Sequence, residues 1–211
     1  MTRTVGIYIF DDVEVLDFAG PYEVFTCASR VAGKLAPDRP PPFRVCTVAA
    51  SRTPVRARAG LVLHPEASFA DAGTPDVLIV AGGVVDAELA RPEVIAWIAT
   101  MARECELVAS VCTGALLLAQ AGLLDGLPAT THWEDQAELR ARWPQVQVLD
   151  GQRWVDNGRI VTSGGISAGI DMSLHLVERL AGRELAELTA RQMEYDWNSG
   201  VRSVFSTRAQ P

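Results

Sequence analysis

The chain has 211 residues, of which 48% are hydrophobic and 21% are charged, the balance of an ordinary globular protein. Its 26 acidic and 19 basic residues give a formal net charge of −7, which repels phosphate backbones and argues against nucleic acid as a partner. No apolar run reaches the roughly 18 residues that a membrane-spanning helix needs, and the apolar start of the chain is too short for a signal peptide. We therefore expect a single domain over residues 1–211, with no membrane partner.

Apolar runs alternate with helical patterns along the chain, which is typical of βαβ units and a mainly parallel sheet. Strands are predicted at 5–10, 43–49, 76–80, 107–111 and 146–149, with a β pattern at 55–63 and a hairpin whose strands, 153–155 and 159–162, flank an Asp-Asn-Gly turn. Helices are predicted from Pro21 to about 32, from Pro92 to about 102, and at 113–121, 131–142, 167–180 and 184–193. The strands at 76–80 and 107–111 are apolar enough to be covered on both faces. The pattern predicts a flavodoxin-like or Rossmann-like three-layer α/β sandwich.

Cys112 stands where a ligand would bind in such a fold, beyond the carboxyl end of a strand. It lies between the buried strand 107–111 and an apolar helix, and Thr113 and Gly114 follow it, which is the arrangement of a nucleophile elbow. The positive end of the helix dipole would favour the thiolate, so we expect a lowered pKa for this thiol. The alternative is a buried structural cysteine.

Asp17, Gly82 and Gly83 fall near the same edge of the predicted sheet, and His132 is a further candidate. Asp17 precedes a predicted helix among apolar neighbours, and it is either a helix N-cap or a partly desolvated carboxylate that holds a proton or a water beside the thiol. Gly82 and Gly83 follow the strand at 76–80, and they either mark a tight turn or offer backbone N–H groups to a developing negative charge. His132 stands at a predicted helix start, where it is either structural or part of the site.

The remaining cysteines and histidines suggest no further site. Cys27, Cys46 and Cys105 are interpreted as structural, and the four cysteines are spaced too widely for a disulfide framework or a CxxC metal site. A reducing cytoplasm is therefore the expected location. His64 and His175 receive no role. The sequence contains no HExxH, P-loop or GxGxxG motif, so we expect no metal and no nucleotide cofactor.

Four blocks of sequence resemble the DJ-1/PfpI superfamily. They are LDFAGPYEVF at 16–25, ASVCTGALLLAQAGLLDG at 109–126, ATTHW at 129–133 and GGISAGID at 164–171. Within the superfamily the chain is most similar to the isonitrile hydratases, because it has Asp at position 17 and Thr directly after the cysteine. Those lyases add water to an isonitrile and give an N-substituted formamide. The resemblance implies catalytic roles for Cys112, Asp17 and Thr113, an isonitrile as small-molecule substrate, no cofactor and a homodimer.

The resemblance also implies a mechanism. The Cys112 thiolate adds to the terminal carbon of the isonitrile and forms a covalent thioimidate. Asp17 supplies or relays the proton and positions the water, Thr113 hydrogen-bonds the adduct or that water, and backbone N–H groups near Gly83 and Thr113 stabilise charge.

Two other functions are compatible with the same motifs. One is a redox-responsive DJ-1-like stress protein, in which Cys112 is oxidised to a sulfinate. The other is a ligand-binding domain of the amidase-like kind found in AraC-type transcription regulators. Because the sequence ends at Pro211, we expect no DNA-binding part in it.

Overall fold

A computed structural model describes residues 1–198, and the last part of the predicted domain, 199–211, lies outside the described residues. The strands are β1 (Arg3–Tyr8), β2 (Phe43–Ala49), β3 (Val55–Arg56), β4 (Val62–Leu63), β5 (Ala67–Ser68), β6 (Val77–Val80), β7 (Leu107–Val111), β8 (Pro128–Ala129), β9 (Gln147–Val148), β10 (Trp154–Asp156) and β11 (Ile160–Ser163). The α-helices are α1 (Val15–Leu35), α2 (Asp86–Leu89), α3 (Pro92–Glu104), α4 (Gly114–Gln120), α5 (Gln136–Arg142), α6 (Ala168–Ala181) and α7 (Arg183–Gln192).

The central sheet has seven strands in the order β10-β11-β7-β6-β1-β2-β5. Every neighbouring pair in it is parallel except β10 and β11, which form the antiparallel hairpin that the Asp-Asn-Gly turn predicts. Helices α1, α6 and α7 pack against one another, and α2, α3 and α4 form a second group. This mainly parallel sheet flanked by helices confirms the predicted fold class. Among residues 1–198, no helix has both the length and the apolar character needed to cross a membrane.

The position of the site follows from two neighbouring central strands. All residues of β6 and β7 are buried, because helices cover the sheet there, and this explains their nearly continuous apolar sequence. Helix α4 follows β7 and is also buried along most of its length. Since β6 and β7 are parallel neighbours, the loop after β6 and the residue after β7 meet at one edge of the sheet.

Helix α1 begins earlier than the sequence predicts. It starts at Val15 and encloses Pro21, which we expected in its first turn. The Glu14 side chain accepts a hydrogen bond from the Val15 N–H at 3.1 Å and serves as the N-cap. Asp17 therefore lies inside the first turn, and its interpretation as an N-cap is wrong. Pro21 lacks the N–H that would bond to the Asp17 carbonyl, so the helix forgoes one backbone hydrogen bond there.

The polar residues Thr131 and Ser167, which stand at the starts of two predicted helices, cap neither helix with their side chains. The segment from Trp133 to Asp135 is a 3₁₀ turn ahead of α5, and the Thr131 hydroxyl donates to the Cys112 carbonyl at 2.8 Å instead of capping the helix. Ser167 makes no side-chain capping bond at the start of α6. The short elements β5, β8 and α2 were not predicted, because two to four residues give no readable period.

The closest backbone approach in this region predicts a stability effect. A methyl group on Gly114 would collide with the Val80 carbonyl oxygen at the end of β6. We expect Gly114→Ala to destabilise the protein by about 1–3 kcal/mol, because backbone atoms must move to make room. The matched control is Gly33→Ala in α1, where nothing lies within 4 Å of the added carbon.

The control should be stabilising by about 0.5–1 kcal/mol, because alanine restricts the unfolded chain and favours the helix. Urea unfolding of both variants measures the two effects. Equal stability of Gly114→Ala and wild type would contradict the described contact between α4 and β6.

Candidate active site

Cys112 adopts the strained backbone of a nucleophile elbow. Its φ of 57° lies in the left-handed region, which costs a residue with a side chain of the order of 1–3 kcal/mol. The Cys112 N–H donates to the Gly164 carbonyl at 3.2 Å, and the Cys112 carbonyl accepts from the Thr131 hydroxyl at 2.8 Å. These bonds come from different segments and hold the thiol at the end of β7.

Asp17 lies against this thiol and is fully buried. Its Oδ1 accepts a hydrogen bond from the Ile166 N–H at 3.1 Å. Its buried Oδ2 makes no hydrogen bond of standard distance and angle, although the carboxyl group is close enough to Cys112 to affect the pKa of the thiol. The structure therefore brings together Asp17 in α1 and Cys112 directly after β7, two residues that are far apart in the sequence.

Burial raises the pKa of both groups. It raises the pKa of Asp17 to about 7, against interactions with the Cys112 thiol and the Ile166 and Gly82 N–H groups that lower it. Burial also raises the pKa of Cys112 above its ordinary value, and the charge of Asp17 acts in the same direction, while the Thr113 N–H partly opposes both. The predicted lowering of this pKa by the helix dipole is therefore wrong, because loss of water and a neighbouring carboxylate outweigh one N–H group. At neutral pH the sulfur holds its proton.

Thr113, Gly82 and Gly83 lie next to Asp17 and Cys112, and their polar groups bond mainly within this group. The Thr113 hydroxyl donates to the Gly83 carbonyl and accepts from the Gly83 N–H, both at 2.8 Å. The Gly82 N–H interacts with the Asp17 carboxyl group. The Gly83 N–H is thus engaged by Thr113, and the expectation that it is free to stabilise a negative charge is wrong.

The glycines are required instead for close packing. A Cβ on Gly82 would lie 2.6 Å from the Thr113 nitrogen and 2.8 Å from Asp17 Oδ2. A Cβ on Gly83, which has a φ of 146°, would collide with the Asp12 carbonyl oxygen. The tight-turn interpretation of this pair agrees with these contacts.

A cavity of about 280 Å³ lies over the thiol and is lined by Cys112, Thr113 and His132 among others. The His132 ring is mostly buried, and its Nδ1 lies 3.3 Å from Asp135 Oδ2. A Cβ on Gly165 would collide with this ring, so glycine at that position makes room for it. Asp17 does not line the cavity and lies behind the thiol.

The other cysteines and histidines lie outside this cavity. Cys27 is in α1, Cys46 is in β2 and Cys105 follows α3, and burial raises the pKa of each thiol. His175 contacts Asp156 at 2.7 Å. Within the described range, no group of three or more His, Cys, Asp or Glu side chains is placed to hold a metal ion.

Sequence reasoning missed several groups that shape the site. Ile166 supplies the N–H for Asp17, Thr131 holds the elbow, and Glu14 and Arg58 form an ion pair at 3.3 Å on the cavity wall. Thr131 and Ile166 lie within two of the sequence blocks that resemble the DJ-1/PfpI superfamily, which was the available signal for them. No local pattern marks Glu14 and Arg58.

The profile of the DJ-1/PfpI family matches residues 3–179, and the chain belongs to that family. An isonitrile hydratase from Pseudomonas putida is 36% identical over 196 residues, which are 92% of this chain and 79% of that protein. The HTH-type transcriptional regulator GbdR from Pseudomonas aeruginosa is 30% identical over 194 residues, which cover 92% of this chain but 51% of the regulator, so the chain spans about half of that relative's length.

Solved structures agree on the fold. A ThiJ/PfpI family protein from Pseudomonas syringae has a TM-score of 0.81 at 28% identity, and the match covers 93% of this chain and 76% of that chain. Drosophila melanogaster DJ-1beta has a TM-score of 0.78 at 19% identity over 93% of this chain and 100% of its own, a likeness of fold alone.

The raised pKa of Asp17 predicts a pH-dependent stability. The folded pKa is about 7 against an ordinary value of 3.8, so the folded state holds a proton that the unfolded state has released. The stability contribution of Asp17 is therefore fully present below about pH 4 and is lost as the pH rises through about 7. Asn carries no charge to desolvate, so Asp17→Asn should become the more stable protein, by a few kcal/mol above about pH 7.

Urea unfolding at a series of pH values measures this difference. Asp38→Asn, in an exposed loop, is the control and should follow the wild type at every pH. A stability difference for Asp17→Asn that does not change with pH would show that folding leaves the ionisation of Asp17 unaltered.

Proposed function

We propose that the protein is an isonitrile hydratase, a lyase that adds water to an isonitrile and releases an N-substituted formamide. One observation carries the proposal: the buried Asp17 carboxyl group, with a pKa of about 7, lies against the Cys112 thiol at the floor of a cavity. A nucleophile and a proton carrier thus stand side by side away from water. The 36% identity to the Pseudomonas putida hydratase supports this reaction over others.

The first step joins the sulfur to the terminal carbon of the isonitrile. That carbon must also gain a proton, because the product of the step is a thioimidate, in which the sulfur is bound to a CH=N group. The Asp17 carboxylate accepts the thiol proton as the S–C bond forms and passes it to the same carbon. The raised pKa of Cys112 does not prevent this step, because the sulfur and its proton are both added to the isonitrile carbon. No net charge is therefore created in the buried site.

The second step consumes the water. Water adds to the thioimidate carbon while the Asp17 carboxylate takes a proton from it and passes that proton to the nitrogen, giving a tetrahedral adduct. The C–S bond then breaks, the sulfur recovers a proton from the adduct hydroxyl, and the N-substituted formamide leaves. The Cys112 thiol, the Asp17 carboxyl group and water make every bond change in this scheme, so it requires no metal or organic cofactor.

Thr113 and His132 have supporting roles in this proposal. Thr113 is a positioning residue, because its hydroxyl makes both hydrogen bonds to Gly83 and fixes the turn beside Asp17. His132 lines the cavity next to Asp135 and is suited to hold the attacking water. We further propose that the protein acts in the cytoplasm as a homodimer.

A ligand-binding regulator domain is the second candidate, favoured by the 30% identity to GbdR. A ligand-binding domain would release its bound small molecule chemically unchanged, whereas a hydratase would release a formamide. The redox function is less well supported, because peroxide reacts with thiolate and the pKa of Cys112 is raised.

Two substitutions test the chemistry directly. Cys112→Ala should abolish formamide production from alkyl and aryl isonitriles, because the thioimidate cannot form. Asp17→Asn should lower kcat/KM by about 10² to 10⁴-fold, because the amide cannot relay a proton. Cys46→Ala is the matched control and should keep full activity, since Cys46 lies in β2 away from the cavity. Formamide measured by NMR from an active Cys112→Ala enzyme would end the proposal.

The pH dependence of kcat/KM identifies which ionisation state of Asp17 is active in catalysis. Because the carboxylate must accept the thiol proton, kcat/KM should rise as the pH increases through an apparent pKa of about 7, a value that belongs to the coupled pair. The rise should be absent from the residual activity of Asp17→Asn. A wild-type rate that instead falls through the same range would mean that Asp17 acts as a protonated acid from the start.

A further inference from the structure

Carboxylates surround the cavity above Cys112. Five of its lining residues are acidic, and they are Glu14, Asp86, Glu134, Asp135 and Glu138. Among the lining residues the only Lys or Arg is Arg58, which is paired with Glu14 at 3.3 Å. Glu138 is paired with Arg142, but that guanidinium does not line the cavity. The wall of the cavity therefore carries a net negative charge.

The acidic residues also repel one another. Burial raises the pKa of Asp135, and the charges of Glu138 and Glu134 add to this rise, while His132 opposes it. A positive group in the cavity would relieve this repulsion. The floor is different in character, because the buried side chains of Leu116 and Val85 give it apolar surface.

The Asp17 carboxyl group indicates which end of a ligand would reach the floor. Asp17 is fully buried behind the thiol, and its Oδ2 makes no hydrogen bond of standard distance and angle, although the carboxyl group interacts with the Cys112 thiol and the Gly82 N–H. A carboxyl group in this place is suited to exchange a proton with a group bound at the sulfur. A ligand would therefore have its reactive end at the floor and its other end among the carboxylates.

We propose that this cavity selects ligands with a positively charged substituent, and that the substrate is an isonitrile whose other end carries an ammonium group. The statement about isonitriles rests on the proposed function, whereas the selection of cations at Cys112 does not. The isonitrile carbon lies at the sulfur, and the ammonium group faces Asp86 and Glu134, whose carboxylates form no ion pair with Lys or Arg in the described part of the chain.

The charge of the cavity can be measured without any enzymatic activity. Cys112 is treated with two methanethiosulfonates of similar size, one ending in trimethylammonium and one in sulfonate. In each case the sulfur forms a mixed disulfide and methanesulfinate leaves. Because both reagents react with the same thiol, the ratio of their two rates does not depend on the pKa of Cys112. Dividing this ratio by the one measured with 2-mercaptoethanol removes the difference in reactivity between the reagents themselves. Peptide mapping by mass spectrometry assigns the product to Cys112.

We expect a normalised ratio of at least about ten in favour of the cation at low salt, and a several-fold smaller ratio at about 0.5 M salt, where screening is strong. The ratio should also fall several-fold in Asp86→Asn/Glu134→Gln. The control is Glu184→Gln/Glu187→Gln, which removes the same charge from exposed positions on α7, outside the cavity. A wild-type ratio near one, or an equal fall in both double variants, overturns the proposal.

An isosteric pair of isonitriles tests the substrate class. 2-(Trimethylammonio)ethyl isocyanide and 3,3-dimethylbutyl isocyanide differ by one charged nitrogen in place of carbon. We expect kcat/KM to favour the cation by about tenfold or more, and the preference to vanish in Asp86→Asn/Glu134→Gln. If both compounds are hydrated equally well, the proposal of a cationic substrate is wrong, whereas the proposal of hydratase activity stands. If neither is hydrated, the hydratase proposal fails, and the reagent ratio alone decides whether Cys112 selects cations.

Discussion

A carboxyl group held out of water against a thiol is the interaction on which the rest of the site depends. Asp17 and Cys112 are both buried, and burial raises the pKa of each. Two neighbouring acids that resist ionisation keep a proton between them at neutral pH. Such a pair can transfer a proton while it forms a bond to carbon, which is what the hydration of an isonitrile requires.

The fold maintains this contact through backbone groups more than through side chains. The left-handed conformation of Cys112 is held by Gly164 on one side and by the Thr131 hydroxyl on the other. The Ile166 N–H fixes one oxygen of Asp17, and Gly82 leaves the space that lets the carboxyl group approach. The site is thus assembled from the ends of strands and the start of one helix, where the parallel sheet brings distant segments together.

Much of the fold could be predicted from the sequence, because β6, β7 and the β10–β11 hairpin have clear apolar runs or turn residues. The elbow at Cys112 was predicted for the same reason. The start of α1 was missed, because Pro21 usually marks a first turn and here lies inside the helix. The direction of the pKa shift at Cys112 was also missed, because a local sequence shows the helix dipole but not the burial that outweighs it. The engagement of the Gly83 N–H by Thr113 was missed as well, because it depends on a contact between distant segments that no spacing reveals.

The protonation state of Asp17 decides whether the buried pair can carry a proton near neutral pH. Infrared difference spectra between wild type and Asp17→Asn, recorded across a pH series, isolate the C=O stretch of the protonated carboxyl group. We expect this band to be strong at pH 5.5 and to disappear with a midpoint of about 7. If the band has already disappeared at pH 5.5, with a midpoint near the ordinary value of 3.8, Asp17 is an ionised carboxylate at neutral pH and the pair holds no shared proton there.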